Sequence, residues 1–230
     1  MDLAKSYEFF NPDKNKDRIH IIGCGSVGST VAELLARFGI TRFTLYDFDI
    51  VEPHNLANQM FCKKHIGKLK TEALKDIICE INPEAEKDIK LQSKGWNGQA
   101  LGGIVILAVD NIELRKQICE ANKGNIMVKG MFDFRTRLVD AQHYAANWSN
   151  KQHVDDLINS MNFTHEEAME DTPLSACGVA LGVAPTVRLI CTLGVSNIIN
   201  FMRKLPMRKM ILADAFSFGE TDSPVLLMGQ

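Results

Sequence analysis

Three glycines, at positions 23, 25 and 28 of GCGSVG, make a GxGxxG pattern between an apolar run and a segment of helical apolar period. Glycines at this spacing let a backbone come close to a phosphate, and the helix that follows offers free N–H donors and a partial positive charge at its start. Gly23, Gly25, Ser26 and Gly28 are therefore the candidate phosphate cradle. Asp47 ends the next apolar run, RFTLY, and is a carboxylate suited to accept hydrogen bonds from ribose hydroxyls. A turn carboxylate without a ligand would read the same way. To this point ATP and NAD are served equally.

The stretch from Asp47 to Leu74, DFDIVEPHNLANQMFCKKHIGKLKTEAL, separates the two nucleotides. It resembles the ThiF/MoeB family, adenylating domains related to ubiquitin-activating enzymes, in which a strand ending in DxD is followed by a segment close to V-E-x-x-N-L-x-R-Q and then by G-K-x-K. Here Asp47 and Asp49 stand in DFD, Asn55 and Leu56 in NL, Gln59 at the closing Q, and Gly67, Lys68 and Lys70 in GKLK. Asp110 in VDN, Arg115 five residues on, INPE at 81–84 and, more weakly, SACGVALGVAPTV extend the resemblance over most of the chain.

The resemblance implies Mg-ATP-dependent attack by the C-terminal carboxylate of a small ubiquitin-like or sulfur-carrier protein on the α-phosphorus of ATP, releasing pyrophosphate. Lys70 and Asp110 are then the catalytic pair. Asp47 holds the ribose, Lys70 neutralises the triphosphate, Asp110 sits beside Mg²⁺ and the phosphates, and Asp49, Asn55 and Gln59 complete the nucleotide pocket. A site with one or two carboxylates suits magnesium, which keeps water and takes phosphate oxygens as ligands. The resemblance also implies a homodimer.

Two departures stand out. Ser26 replaces a glycine of the family's GxGGxG, a mild change that leaves the amide free. Asn58 replaces the arginine of NLxRQ, and losing such a charge-assisted contact removes about 2–5 kcal/mol unless another cation supplies it. Lys14, Lys16, Arg18, Arg135 and Arg137 are the candidates. Cys177 is a third catalytic candidate, an acyl acceptor, because it follows a polar stretch and precedes a helix start, a setting that lowers a thiol pKa. A small buried residue would look the same. Two other functions remain in competition: an NAD-dependent oxidoreductase, supported by the glycine turn and Asp47 alone, and a non-catalytic ThiF-like binding subunit, suggested by Asn58.

The elements that must position these residues follow from periodicity. Residues 18–22 (RIHII) read as a buried strand. Residues 29–38 read as a helix with Val31, Leu34, Leu35 and Phe38 on one face, and 42–46 as a second strand. A right-handed crossover brings both strand ends to one edge, joining the glycine turn to Asp47. Residues 68–80 form a helix, 103–109 a strand leading to Asp110, and 112–121 a helix for which Asp110 is the expected N-cap. A short strand at 126–128, an antiparallel extension over 131–145, a mobile loop with a helical piece at 150–172 and an edge strand at 210–218 complete the expectation. The run 176–202 is long and apolar, with Arg188 its single charge, but Pro185, Ser196, Asn197 and Asn200 favour a buried helix over a membrane span. The expected class is α/β, a Rossmann-like doubly wound, mainly parallel sheet with an antiparallel extension. The expected organisation is one domain over 1–230, with a nucleotide-binding part at 17–130 and a loop and C-terminal part at 131–230.

Composition agrees with this class. With 46% hydrophobic and 23% charged residues, 230 residues can bury one sizeable core. A net charge of -2 leaves no basic footprint for nucleic acid or an anionic membrane. Six cysteines are scattered without a CxxC pair, so reduced thiols and no structural zinc are expected. The opening MDLAKSYEFFNPDKNK lacks the apolar core of a signal peptide, which points to the cytoplasm.

Overall fold

The computed structural model describes residues 1–164, 166–167, 182–217 and 226–227. Its centre is β1 (Ile19–Ile22), buried throughout because both sheet faces are covered: Ile19 and Ile21 enter one apolar cluster and Ile22 enters a second. Parallel neighbours flank it, β2 (Phe43–Tyr46) on one side and β4 (Gly103–Leu107) on the other. β3 (Lys90–Gln92) lies beside β2, and β5 (Val128–Thr136) beside β4, both parallel. β6 (Asp140–Asn147), β7 (Met210–Asp214) and β8 (Leu226–Leu227) continue the sheet antiparallel. The order of the eight described strands is β3-β2-β1-β4-β5-β6-β7-β8. The chain leaves β1 to one side and later crosses to the other, so a crevice opens outside the C-terminal ends of β1 and β4, where such sheets bind ligands.

The two apolar clusters correspond to two helical layers. α1 (Ser26–Arg37) sends Val31 and Leu35, and α2 (Lys70–Ile81) sends Leu74 and Ile78, into the first cluster. α3 (Ile112–Ala121) and α4 (Lys151–Asn159) send Ile118, Val154 and Leu157 into the second. α5 (Ala184–Met202) joins the first layer, burying Val187, Ile190, Cys191, Val195, Ile198 and Ile199. That internal burial accounts for the apolar run, and among the described residues no helix is long and apolar enough to cross a membrane. Gly194 is where α5 presses on the sheet: a Cβ there would stand 2.1 Å from a ring carbon of Phe134.

The doubly wound class is as expected, but several elements differ. Residues 151–159 of the expected mobile loop form α4, which buries Val154 and Leu157, and β7 ends at Asp214 and is not the edge because β8 pairs beyond it. The fifth parallel strand is Val128–Thr136 rather than 126–128, and Ile126 is 93% exposed. β5 is covered on both faces, so Met131, Phe132, Asp133 and Phe134 are all buried and show no alternation to read. The segment read as one extension is thus the end of β5 and, after a turn, β6.

Candidate functional site

At the end of β1 the chain turns sharply. Gly23 takes a left-handed φ of 96°, and a Cβ on it would meet the carbonyl oxygen of Ala108, beyond β4, at 2.6 Å. A Cβ on Gly28 would overlap the Gly23 carbonyl oxygen at 1.8 Å, so this glycine lets α1 begin directly over the turn. Around Gly25 nothing lies within 4 Å of the equivalent position, leaving room at the N-terminus of α1, whose cap has no side-chain partner. The pattern therefore divides into two glycines that pack the turn and one that faces open space.

Asp47 ties β2 to this turn. One carboxylate oxygen accepts the Cys24 N–H at 2.7 Å and the other accepts the Asp49 N–H at 2.9 Å. Burial raises its carboxyl, against the two N–H donors and Lys70, which favour the ionised form. Each oxygen retains a lone pair for a further donor. Lys70, the first residue of α2, returns to the same place because the chain between them closes on itself. Val51 N–H bonds Lys68 O at 2.8 Å, Gly67 N–H bonds Val51 O at 2.9 Å, and Lys70 N–H bonds Asp49 O at 2.9 Å. The Lys70 ammonium, 8% exposed as a residue, then stands 2.7 Å from Asp49 Oδ2. Lys68 points away and pairs with Asp76 at 2.6 Å. The loop fold thus explains why DFD and GKLK need their separation.

Asn55 is buried and its side-chain oxygen accepts the Glu52 N–H at 2.9 Å, fixing the loop's 3-10 turn. Gln59 follows, with its side-chain oxygen buried and unpartnered. Asn58 donates to Gly182 O at 3.4 Å, just before α5.

Asp110 lies beyond β4, exposed, with no protein partner for its carboxylate among the described residues. It is not the helix cap that its position suggested: Asn111 is, accepting the Leu114 N–H at 2.7 Å. Arg115 is structural. Its guanidinium grips Val109 O, Phe134 O and the buried Asp133 carboxylate, which also accepts from Arg135 at 2.6 Å. This holds the turn that carries Asp110.

The candidate replacements for the arginine missing at position 58 scatter. Arg18 donates to Phe43 O and Asp88 O, Lys16 pairs with Asp13, and Lys14 sits on a turn whose Pro12 reaches Gly39, all at the far end of α1. Arg135 is committed to Asp133 and to Ser160 O at 2.8 Å. Arg137, on the β5–β6 turn, engages partners of its own. Sequence reasoning passed over Arg188, whose signal was its solitary charge in an apolar run. It donates to Thr30 Oγ1 on α1.

Cys177 lies outside the described residues. Cys24, within the glycine turn, is fully buried and its thiol is raised by burial and by Asp47, so it is no nucleophile.

A doubly wound sheet with a glycine turn and an acidic strand end at its switch point defines a Rossmann-like α/β domain with its ligand crevice at that point. The chain belongs to the ThiF family, whose model matches residues 13–220. It is 35% identical over 106 residues to ubiquitin-like modifier-activating enzyme 5 of Arabidopsis thaliana, covering 46% of this chain and 23% of that protein. It is 34% identical over 127 residues to tRNA threonylcarbamoyladenosine dehydratase of Haemophilus influenzae, covering 49% of this chain and 46% of that protein. The chain thus spans less than half the length of these two curated relatives. Among solved structures, E. coli MccB with ATP superposes with a TM-score of 0.65 at 21% identity, over 94% of this chain and 68% of that one, a likeness of fold.

Proposed function

We propose that this chain binds Mg-ATP in the crevice at the ends of β1, β2 and β4 and adenylates the C-terminal carboxylate of a small ubiquitin-like or sulfur-carrier protein, working as a cytoplasmic homodimer. The observation that carries this reading is the line Asp47, Asp49 and Lys70 beside an open helix N-terminus. A ribose acceptor, a buried ammonium and a phosphate cradle meet at one edge of the sheet. The chain of the ThiF family, the kinship with a ubiquitin-like modifier-activating enzyme and the fold shared with an ATP-bound MccB support it.

In the reaction a carboxylate oxygen forms a bond to the α-phosphorus while the bond from that phosphorus to the bridging oxygen breaks, and pyrophosphate leaves. No side chain has to become a nucleophile. The residues act by neutralising and aligning charge. Lys70 exchanges Asp49 for phosphate oxygens, Asp47 accepts ribose hydroxyls, and the unpartnered Gln59 oxygen accepts a donor from the nucleotide. Asp110, an open single carboxylate, would hold the magnesium ion, which would supply charge neutralisation for the triphosphate. Among the described residues no three His, Cys, Asp or Glu gather as a dedicated metal cage.

Calorimetric titration with Mg-ATP and with NAD tests the reading, with Lys70→Ala and Asp110→Ala as controls. Mg-ATP binding that falls by about 10- to 100-fold in Lys70→Ala is expected, the size of one lost charge-assisted contact of about 1.5–3 kcal/mol. NAD binding in its place sinks the adenylation reading. The non-catalytic alternative draws on Asn58, which faces Gly182 O and carries no charge. Binding of Mg-ATP without pyrophosphate release, across a panel of carrier proteins, would favour it. A monomeric mass by light scattering at micromolar concentration would remove the homodimer.

A further inference from the structure

Arg188 sits on α5 about one turn from its start, with its side chain crossing to α1. Its guanidinium donates to Thr30 Oγ1, and that hydroxyl donates in turn to Ser26 O at 2.7 Å. One hydroxyl therefore separates the cation from the first residue of α1, directly after the open space at Gly25. Cys191 Sγ, 3.8 Å from Val27 O, shows that α5 runs along this same first turn. The loop bearing Asn58 also reaches this region: Met60 N–H bonds Ser29 Oγ at 3.1 Å, and Asn58 reaches Gly182 O. The loop that carries Asn58 thus meets α1 at Ser29 through Met60, Arg188 meets it at the next residue, Thr30, and Asn58 itself reaches the segment just before α5.

The charge balance at the crevice calls for a cation. Asp47 and Asp49 follow β2 and Asp110 follows β4 at the same end of the sheet, and Lys70 already stands against Asp49. The helix start contributes only about half a charge. Arg115 and Arg135 are locked on Asp133, while Lys14, Lys16 and Arg18 lie at the opposite edge. Arg137 has partners of its own, whereas Arg188 is half-buried beside the first turns of α1 with a neutral hydroxyl as its partner among the described residues, so it can turn to an anion at the cost of one ordinary hydrogen bond.

We propose that Arg188 is the second phosphate-binding cation of the site, swinging from Thr30 onto the polyphosphate and supplying the charge that Asn58 lacks. This rests on the ATP reading above. The test is calorimetry with Mg-ATP and with adenosine on the wild-type chain, Arg188→Gln and the double variant Asn58→Arg/Arg188→Gln. Arg188→Gln should weaken Mg-ATP by about tenfold or more and leave adenosine unchanged, and the double variant should recover most of the loss. Mg-ATP affinity held at the wild-type value in Arg188→Gln overturns the proposal and leaves the ATP reading standing. An equal loss for adenosine and Mg-ATP also overturns it, since that is the signature of a packing role between α1 and α5. A wild-type chain that takes up no Mg-ATP overturns both.

Discussion

Two clusters of acids and cations lie a few strands apart in this molecule, and they are built in opposite ways. At the ends of β1 and β2, Asp49 and Lys70 pair with the acid side chain half-exposed at 50%, next to the open space at Gly25. Between β4, β5 and the helices behind them, Asp133 is completely buried and both of its oxygens are taken by Arg115 and Arg135. Arg135 continues to Ser160 at the end of α4, and its guanidinium lies 4.4 Å from the Tyr144 ring centre. The second cluster is sealed, because no ligand can reach the lone pairs of a carboxylate that is wholly buried between two guanidinium groups. The first has an ammonium held by a partner that water can replace. The comparison teaches that charge type alone does not separate a site from a structural lock; saturation of the partners and access from solvent do.

The largest expected effect tests the sealed cluster. Asp133→Ala leaves two guanidinium groups facing each other without an anion, and breaking a buried pair in this way costs about 3–5 kcal/mol. Urea unfolding of the variant measures it. A loss below about 1 kcal/mol would place Asp133 with ordinary surface pairs and erase the distinction.

A second effect belongs to the same sealed region. His143 on β6 is fully buried between the rings of Phe132 and Phe134, with Nε2 at 3.2 Å from Asn197 Nδ2 and Nδ1 unpartnered. Burial lowers its pKa from the usual 6.5 to about 4, with Asp133 pulling the other way. The unfolded chain therefore takes up this proton first as pH falls. Its stabilising contribution is complete above pH 6.5 and is lost progressively as pH drops through about 4, amounting to about 3 kcal/mol. At the open cluster Asp47, whose carboxyl burial raises, works in the opposite sense over the acid range. Unfolding free energies at pH 7 and pH 4.5, with proton NMR of the His143 ring, check this. A ring that titrates near 6.5 would show that the region opens to solvent.

The open cluster was largely legible in the sequence and the sealed one was not. Gly23, Gly25 and Gly28 declare a turn by spacing alone, and DFD with GKLK mark site residues by family resemblance, although the closure that brings Lys70 back to Asp49 comes from the structure. Arg115 and Asp133 are 18 residues apart and meet across a strand and a helix, a contact that no local pattern encodes. Arg188 and Thr30 are 158 residues apart. Asp110 and Asn111 are both good capping residues, so the choice of Asn111 came only from the geometry leaving β4. β5 escaped because burial on both faces removes the alternation by which a strand is read.

The smallest effect is the one that most sharpens the contrast. Asp49→Asn removes the anion from a pair that looks stronger on paper than its setting allows. The N–O separation is 2.7 Å, but Asp49 is half in water, and exposed pairs contribute about 0–1 kcal/mol because solvent screens them. Lys70 also keeps Asp47 nearby as a second acid, whose carboxyl it helps to hold ionised. The variant should therefore lose less than about 1 kcal/mol in the same urea titration that registers the much larger loss in Asp133→Ala. The released ammonium would then be available to phosphate without first displacing Asp49, so Mg-ATP affinity should hold or rise. A stability loss equal to that of Asp133→Ala would make Lys70 a buried structural cation. The ammonium would then be no more free to change partners than Arg115.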